Sequence, residues 1–155
     1  MEDSVMPTAV LTIEIDAPAE DVFDLIHDYS RRLEWDPFLR AASLLNDAQV
    51  AELGVSSRCV ARRAVGGLAM DTVYVSFKRR FVASVKMTRG PLFLDLFAAS
   101  LRQDRVDDKT TRVTYRYNFK AWPRCFAFLV EPIVNWVFKR ETQQRLLALK
   151  SHLES

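Results

Sequence analysis

Histidine and cysteine are scarce in this chain, two of each in 155 residues, and their placement excludes several chemistries. Cys59 falls in a strand pattern and Cys125 at the start of the last helical stretch; they lack metal-ligand spacing and fit buried thiols in a reducing compartment. Neither His27 nor His152 sits on an inward strand position. No Ser/His/Asp, Cys/His or metal-ligand constellation is visible, so neither a metal nor another cofactor is expected. A dominant charge is missing as well: 22 Lys plus Arg against 20 Asp plus Glu leave a formal +2, too weak to argue for nucleic acid or a membrane surface. The basic doublets Arg31-Arg32, Arg62-Arg63 and Arg79-Arg80 are interspersed with acids and read as solvated surface, so no nucleic-acid partner is expected. No apolar run reaches membrane-spanning length; the nearest, Phe126 to Phe138, is broken by Glu131, Pro132 and Asn135, and no integral membrane contact is expected. Met1 to Thr8 is acidic, without the basic and apolar regions of a secretory signal, which makes the cytoplasm the expected location.

What is present is an apolar share of 49% and two periodicities in separate places. The expectation is a tail over residues 1–8 and one domain over 9–155, large enough to bury a core without metal or disulfide. Val10 to Asp16 alternates, with Leu11, Ile13 and Ile15 on one side, and reads as a half-buried strand. Asp16 or Ala17 caps a helix with Pro18, Glu20 and Asp21 in its first turn and an inward face of Val22, Phe23, Leu25 and Ile26. Ser30 caps a second short helix, which Pro37 ends after Trp35. From Leu39 to Ala121 five or six strands follow on short turns, among them Gly66-Gly67 and Gly90-Pro91, and meander connections make the sheet antiparallel and curved. A final helix runs from Arg124 to Leu153, interrupted by Pro132, with Leu129, Ile133, Trp136, Val137 and Leu147 close to one stripe and Phe128 and Phe138 on other sides.

The last strand is the cleanest signal. Val113, Tyr115, Tyr117 and Phe119 alternate with polar residues, giving an aromatic inward face on which two tyrosines bring hydroxyls into an apolar interior, as core or as cavity wall. Val73, Val75 and Phe77, then Phe81, Ala83, Val85 and Met87, form a second inward row. In Leu92 to Leu101, Leu94 and Leu96 compete with Phe93, Phe97 and Leu101 for the inside, unless a bulge admits both. The second choice carries Asp95 inward, as a raised-pKa acid or an arginine's partner; the first leaves it outside. Ser56 to Val65 is equally open: Cys59 and Ala61 inward would take Arg63 with them, and Val60 inward would take Arg58 and Arg62. An inward arginine is able to hold a carboxylate or enolate oxygen, whereas arginines on the convex face are simply solvated.

The stretch Thr12-Ile-Glu-Ile-Asp-Ala-Pro-Ala-Glu-Asp-Val-Phe-Asp-Leu-Ile, followed by Glu34-Trp-Asp-Pro-Phe, resembles the opening of the START-like superfamily, also called SRPBCC or Bet v 1-like. Thr111-Arg-Val-Thr-Tyr and Leu146 to Leu153 fit the same layout, and the branch it resembles is the polyketide cyclase/dehydrase and lipid-transport group. The resemblance implies an α+β helix-grip fold: a curved seven-stranded antiparallel sheet around a long C-terminal helix, with two short helices after the first strand, over a hydrophobic cavity. It implies ligands such as lipids, sterols, polyketides, plant hormones or quinones. Cyclases of this fold use an inward arginine with tyrosines and tryptophans; Tyr115 and Tyr117 match in kind, and the arginine stays open among Arg58, Arg62 and Arg63. The quinone-binding and ribosome-association branch usually has an aromatic residue in the sixth strand, where this chain has Ala99, and a smaller residue enlarges a cavity.

The leading expectation is a hydrophobic or amphipathic small-molecule ligand, bound between the sheet and the last helix by a monomer or homodimer. The candidate wall comprises Trp35, Phe38, Val75, Phe77 and Val85, then Asp95, Phe97, Tyr115, Tyr117 and Phe119, with Leu129, Ile133 and Trp136 from the helix. The first alternative is a cyclase or dehydratase using a tyrosine or an Arg/Asp pair. The second is a protein-interaction module using the helix faces of Phe128 and Phe138.

Overall fold

The computed structural model describes residues 8–155, so most of the expected tail lies outside the described residues. The chain begins with β1 (Thr8–Ile15), whose alternation buries Ala9 and Ile15 and exposes Val10, Thr12 and Glu14. Helix α1 (Ala19–His27) starts one residue later than the sequence suggests. Pro18 takes the position before it, and Glu20 and Asp21 fill the first turn, where the unpaired N–H groups favour carboxylates. A single 3-10 turn over Tyr29–Arg31 leads into α2 (Arg32–Trp35). The side-chain cap here is that of the 3-10 turn and comes from Asp28 rather than Ser30, the Asp28 carboxylate accepting from the Ser30 amide at 3.1 Å; α2 itself has no side-chain cap.

Six further strands follow, β2 (Leu39–Leu44), β3 (Ser56–Ala61), β4 (Ala69–Lys78), β5 (Val82–Arg89), β6 (Leu94–Asp107) and β7 (Thr110–Ala121), and the last helix, α3, covers Ala127–Glu154. They form one antiparallel seven-stranded sheet in the order β1-β7-β6-β5-β4-β3-β2, so every connection but the one from β1 is a neighbour-to-neighbour hairpin. Residues Gly66 and Gly67 make the β3–β4 turn at φ +100° and +62°, angles open to glycine at little steric cost. The sheet curls around α3, the helix-grip arrangement. At its C-terminal end α3 is tied to β1 by the Lys150 ammonium donating to the Glu14 carbonyl at 2.8 Å and by the Asp16 amide donating to Glu154 at 2.8 Å.

Strand pairing decides which residues face α3. One row crosses the sheet through Tyr74, Val85, Ala99, Tyr117 and Ala9, and a parallel one through Ala83, Leu101, Tyr115 and Leu11. On β4 the alternation is opposite to the one read from the valines. Tyr74 is buried and faces inward with Thr72, and Val75 is 47% exposed. A register shift between Tyr74 and Ser76 then lets Phe77 turn back in. Valine suits either face of a pleated sheet, whereas a buried tyrosine hydroxyl requires partners, and only the inner face offers them. A similar shift between Leu94 and Leu96 in β6 buries Leu94, brings Phe97 inside, and leaves Asp95 exposed. On β3 Cys59 and Ala61 face in, but the strand ends before Arg63, which is exposed in a 3-10 turn.

The orientation of α3 also departs from its apolar pattern. Its inward row is Val134, Phe138, Glu141, Arg145 and Leu149, at the 3–4 spacing of one helix face. Leu129, Trp136 and Leu147 are more than 45% exposed. The reason lies in what the inward row meets. Phe138 makes edge contacts with Phe97, Tyr117 and Phe119 at centroid distances of 5.6, 5.9 and 5.7 Å, and Arg145 reaches a buried carboxylate on the far side. Beneath the C-terminal half, Ile15, Val22, Ile26, Val113, Leu146 and Leu149 form the close-packed core.

Candidate functional site

Small residues at the middle of the sheet, Ala83 and Ala99, and Cys59 and Ala61 on β3, leave a hollow of about 440 Å³ between the sheet and α3. Left dry, an apolar space of this volume would cost about 10 kcal/mol at the usual penalty per Å³. That is on the order of a domain's entire net stability, so the space is one that water or a ligand fills. Ile133 and Leu68 line it while remaining 65% and 42% exposed, which marks the mouth. The opposite end lies against Arg32, Arg145 and Tyr74, all largely buried.

Of the residues expected to form the wall, Phe38, Val85, Phe97, Tyr115, Tyr117 and Ile133 border the hollow. The others lie elsewhere. Trp35 is in the packed core with Ile15 and Leu149, and Phe119 is fully buried behind Phe138. Phe77 packs edge-on against Phe23 and Tyr74 at 5.2 Å each. Val75 and Asp95 are on the exposed side of the sheet, and Leu129 and Trp136 on the exposed side of α3. Phe128 is also exposed, while Phe138 turns inward.

The arginines at the hollow come from helices. Arg32 donates from Nε to Asp36 at 2.9 Å and from Nη1 to the Ile26 carbonyl at 3.2 Å. Arg145 donates from Nε and Nη2 to the same carboxylate at 2.9–3.1 Å, and the Phe38 amide adds a bond at 3.0 Å. Burial by itself would raise the Asp36 pKa; Arg145 and Arg32 more than reverse this and hold it below the usual carboxylate range. Burial likewise acts to lower Arg32, and Asp36 more than restores it, keeping the guanidinium charged. Both guanidinium groups lie over aromatic rings, Arg32 over Trp35 at 5.1 Å and Arg145 over Phe38 at 5.1 Å, a placement that adds cation–π attraction.

Of the three arginines left open by the sequence, Arg63 is exposed in its 3-10 turn, and the other two pair with carboxylates outside the hollow. Arg58 pairs with Asp71 across the β3–β4 ladder at 2.8 and 3.0 Å. Arg62 lies just past β3 and forms a two-bond pair with Glu141 of α3 at 2.9 Å.

A second polar group sits at the closed end. His27 Nδ1 is 2.7 Å from the Tyr74 hydroxyl, which is 3.3 Å from that of Tyr29; Tyr29 in turn donates to Ser57 at 3.1 Å. Burial, and then the charge of Arg32, push the His27 pKa down to about 3, so the imidazole is neutral, and its Nε2 is buried without a partner among the described residues. Tyr117 donates to the Asn135 side chain at 2.9 Å, and burial, with Tyr115 alongside, pushes its pKa up to about 12. The Tyr115 hydroxyl has no hydrogen-bond partner among the described residues and borders the hollow.

Arg32, Arg145, Asp36 and His27 are the site groups that strand-by-strand reading passes over. The available signal is the inward row of α3, where Glu141 and Arg145 interrupt apolar residues at helical spacing, together with Arg32 and Asp36 four residues apart. Among the described residues no cluster of three or more His, Cys, Asp or Glu could hold a metal ion, and no helix is long and apolar enough to cross a membrane.

No curated protein matches the chain. Among solved structures it is similar to a START superfamily protein from Mycobacterium smegmatis, at 14% identity and a TM-score of 0.78 over 95% of this chain and 97% of that one. The Zhui aromatase/cyclase from Streptomyces sp. R1128 gives 16% identity and 0.78, covering 97% of this chain and 94% of that one. Ginseng major latex-like protein 151 from Panax ginseng gives 11% and 0.75, over 97% and 99%. At these identities the likeness is one of fold. The sequence model for polyketide cyclase/dehydrase and lipid transport matches residues 6–154, and the chain belongs to that family.

Proposed function

We propose that this protein binds a hydrophobic or amphipathic small molecule in the hollow between the sheet and α3. The observation that carries the reading is the lining itself: aromatic and aliphatic over most of its wall, with a few fixed polar groups at the closed end. That is the usual make-up of a small-molecule site, and the volume falls in the usual range. Phe97, Tyr117 and Phe138, held against one another, provide a rigid flat wall for an apolar body. The test is native mass spectrometry of freshly purified protein, followed by extraction. A stoichiometric adduct that leaves on denaturation is the expected result; protein that carries no adduct and takes up no apolar compound overturns the reading.

A second reading, enzymatic cyclisation or dehydration, is favoured by one observation. Tyr115 bears electrostatically on Arg145, so a hydroxyl and a cation converge on the hollow, a pairing suited to stabilising an enolate. Turnover of a polyketide-like substrate that Tyr115→Phe abolishes would replace the first reading with this one.

A further inference from the structure

The buried cluster at the closed end contains one positive charge too many. Arg32 and Arg145 share a single carboxylate, Asp36, whose side chain is fully buried. Among the described residues the neighbouring groups supply no second anion. Glu141 is committed to Arg62 through two bonds at 2.9 Å, and Asp71 to Arg58 at 2.8 and 3.0 Å. Burial pushes the thiol of Cys59 and the hydroxyl of Tyr74 up, so both stay uncharged. Donors are also left over. Arg32 Nη2 and Arg145 Nη1 have no acceptor among the described residues, and both side chains border the hollow, as does the unpartnered Tyr115 hydroxyl.

An uncompensated buried charge costs several kcal/mol. Protonating Asp36 would deepen the imbalance, and a guanidinium does not give up its proton near neutral pH. The remaining way to balance the cluster is an anion entering from the hollow.

We propose that Arg145 and Arg32, with the Tyr115 hydroxyl, form the head-group site for a monoanionic amphipath, a ligand with one carboxylate or comparable oxyanion on an apolar body. The inference rests on the binding reading above and specifies its ligand class. Dimensions agree: Ile133 at the mouth and Arg145 are twelve residues apart on α3, about 18 Å of helix. An elongated molecule therefore places its head at the arginines while its body lies along Phe97 and Tyr117. A guanidinium and an oxyanion form short charge-assisted bonds, stronger than neutral ones.

The experiment compares decanoate with decan-1-ol on the whole protein by isothermal titration calorimetry, at a pH where the acid is ionised. The expected result is that decanoate binds at least about tenfold more tightly. Equal affinities, or binding of neither, would overturn the head-group inference; the binding reading falls only if the protein also carries no adduct on purification and takes up no apolar compound. In Arg145→Gln, checked for folding by circular dichroism, the preference disappears, the two affinities coming to within about twofold of each other. A purely structural role for Arg145 would instead weaken both ligands together. Should that variant fail to fold, the wild-type comparison still decides.

Discussion

His27 shows how a single buried side chain couples the closed end of the hollow to pH. Its imidazole is held neutral by burial and by Arg32, with a pKa near 3 in the folded protein against about 6.5 in an unfolded chain. As pH falls below about 6.5 the unfolded chain takes up this proton first. The stability contributed by the neutral histidine is therefore complete above that pH and declines by about 1.4 kcal/mol per unit until the folded pKa is reached. Urea denaturation at a series of pH values should show this slope between about pH 6.5 and 4.5, a window above the range where Asp36 contributes. His27→Gln, which has nothing to titrate there, is expected to flatten it. An unchanged slope in the variant would assign the acid sensitivity to other groups.

Helix α3 carries apolar residues on two faces, and which of them is buried is a property of the element rather than of any one residue. Phe138 interlocks with three aromatic residues from β6 and β7, whereas Trp136, two residues earlier, is 62% exposed beside Arg140, whose guanidinium lies 5.4 Å from its ring. Phe138→Ala is expected to cost about 2 kcal/mol or more, below the range for a fully enclosed aromatic because Phe138 is half-buried and borders the hollow. Trp136→Gln is expected to change stability by no more than about 0.5 kcal/mol. Chemical denaturation of the two variants checks the rotation of the helix directly, since the opposite facing would reverse the order.

At the scale of the molecule, the hollow exists because the sheet is curved and its centre is thin. Cross-strand pairing aligns Val85, Ala99 and Tyr117, so the smallest side chain of that row stands in the middle, beneath α3. Ala99→Trp would fill the space from below without touching Asp36 or its arginines. The variant is expected to fold, to show an unchanged far-ultraviolet circular dichroism spectrum, and to lose at least about tenfold in affinity for any apolar ligand of the wild type. Retained affinity would move the binding site away from the hollow.

Periodicity alone determined the order of elements, the antiparallel meander and the inward face of β7, because period-2 and period-3.6 patterns follow from backbone geometry that every residue shares. Pro18 located the start of α1 to within a residue, whereas the strand read as Ser56 to Val65 ends at Ala61, because a 3-10 turn takes up the residues before Gly66-Gly67. The facing of β4, the exposure of Asp95 and the rotation of α3 were decided only in the tertiary structure. In β4 and α3 both faces are apolar enough to be buried, so local patterning does not choose between them, and near Leu94 a bulge changes the count. The choice falls to a few long-range contacts: a tyrosine hydroxyl meeting a histidine, a phenylalanine meeting three aromatic rings, and Arg145 meeting an aspartate 109 residues away. The excess charge at the closed end is of the same kind. Each arginine is an ordinary helix residue in the sequence, and only the fold brings both to one carboxylate.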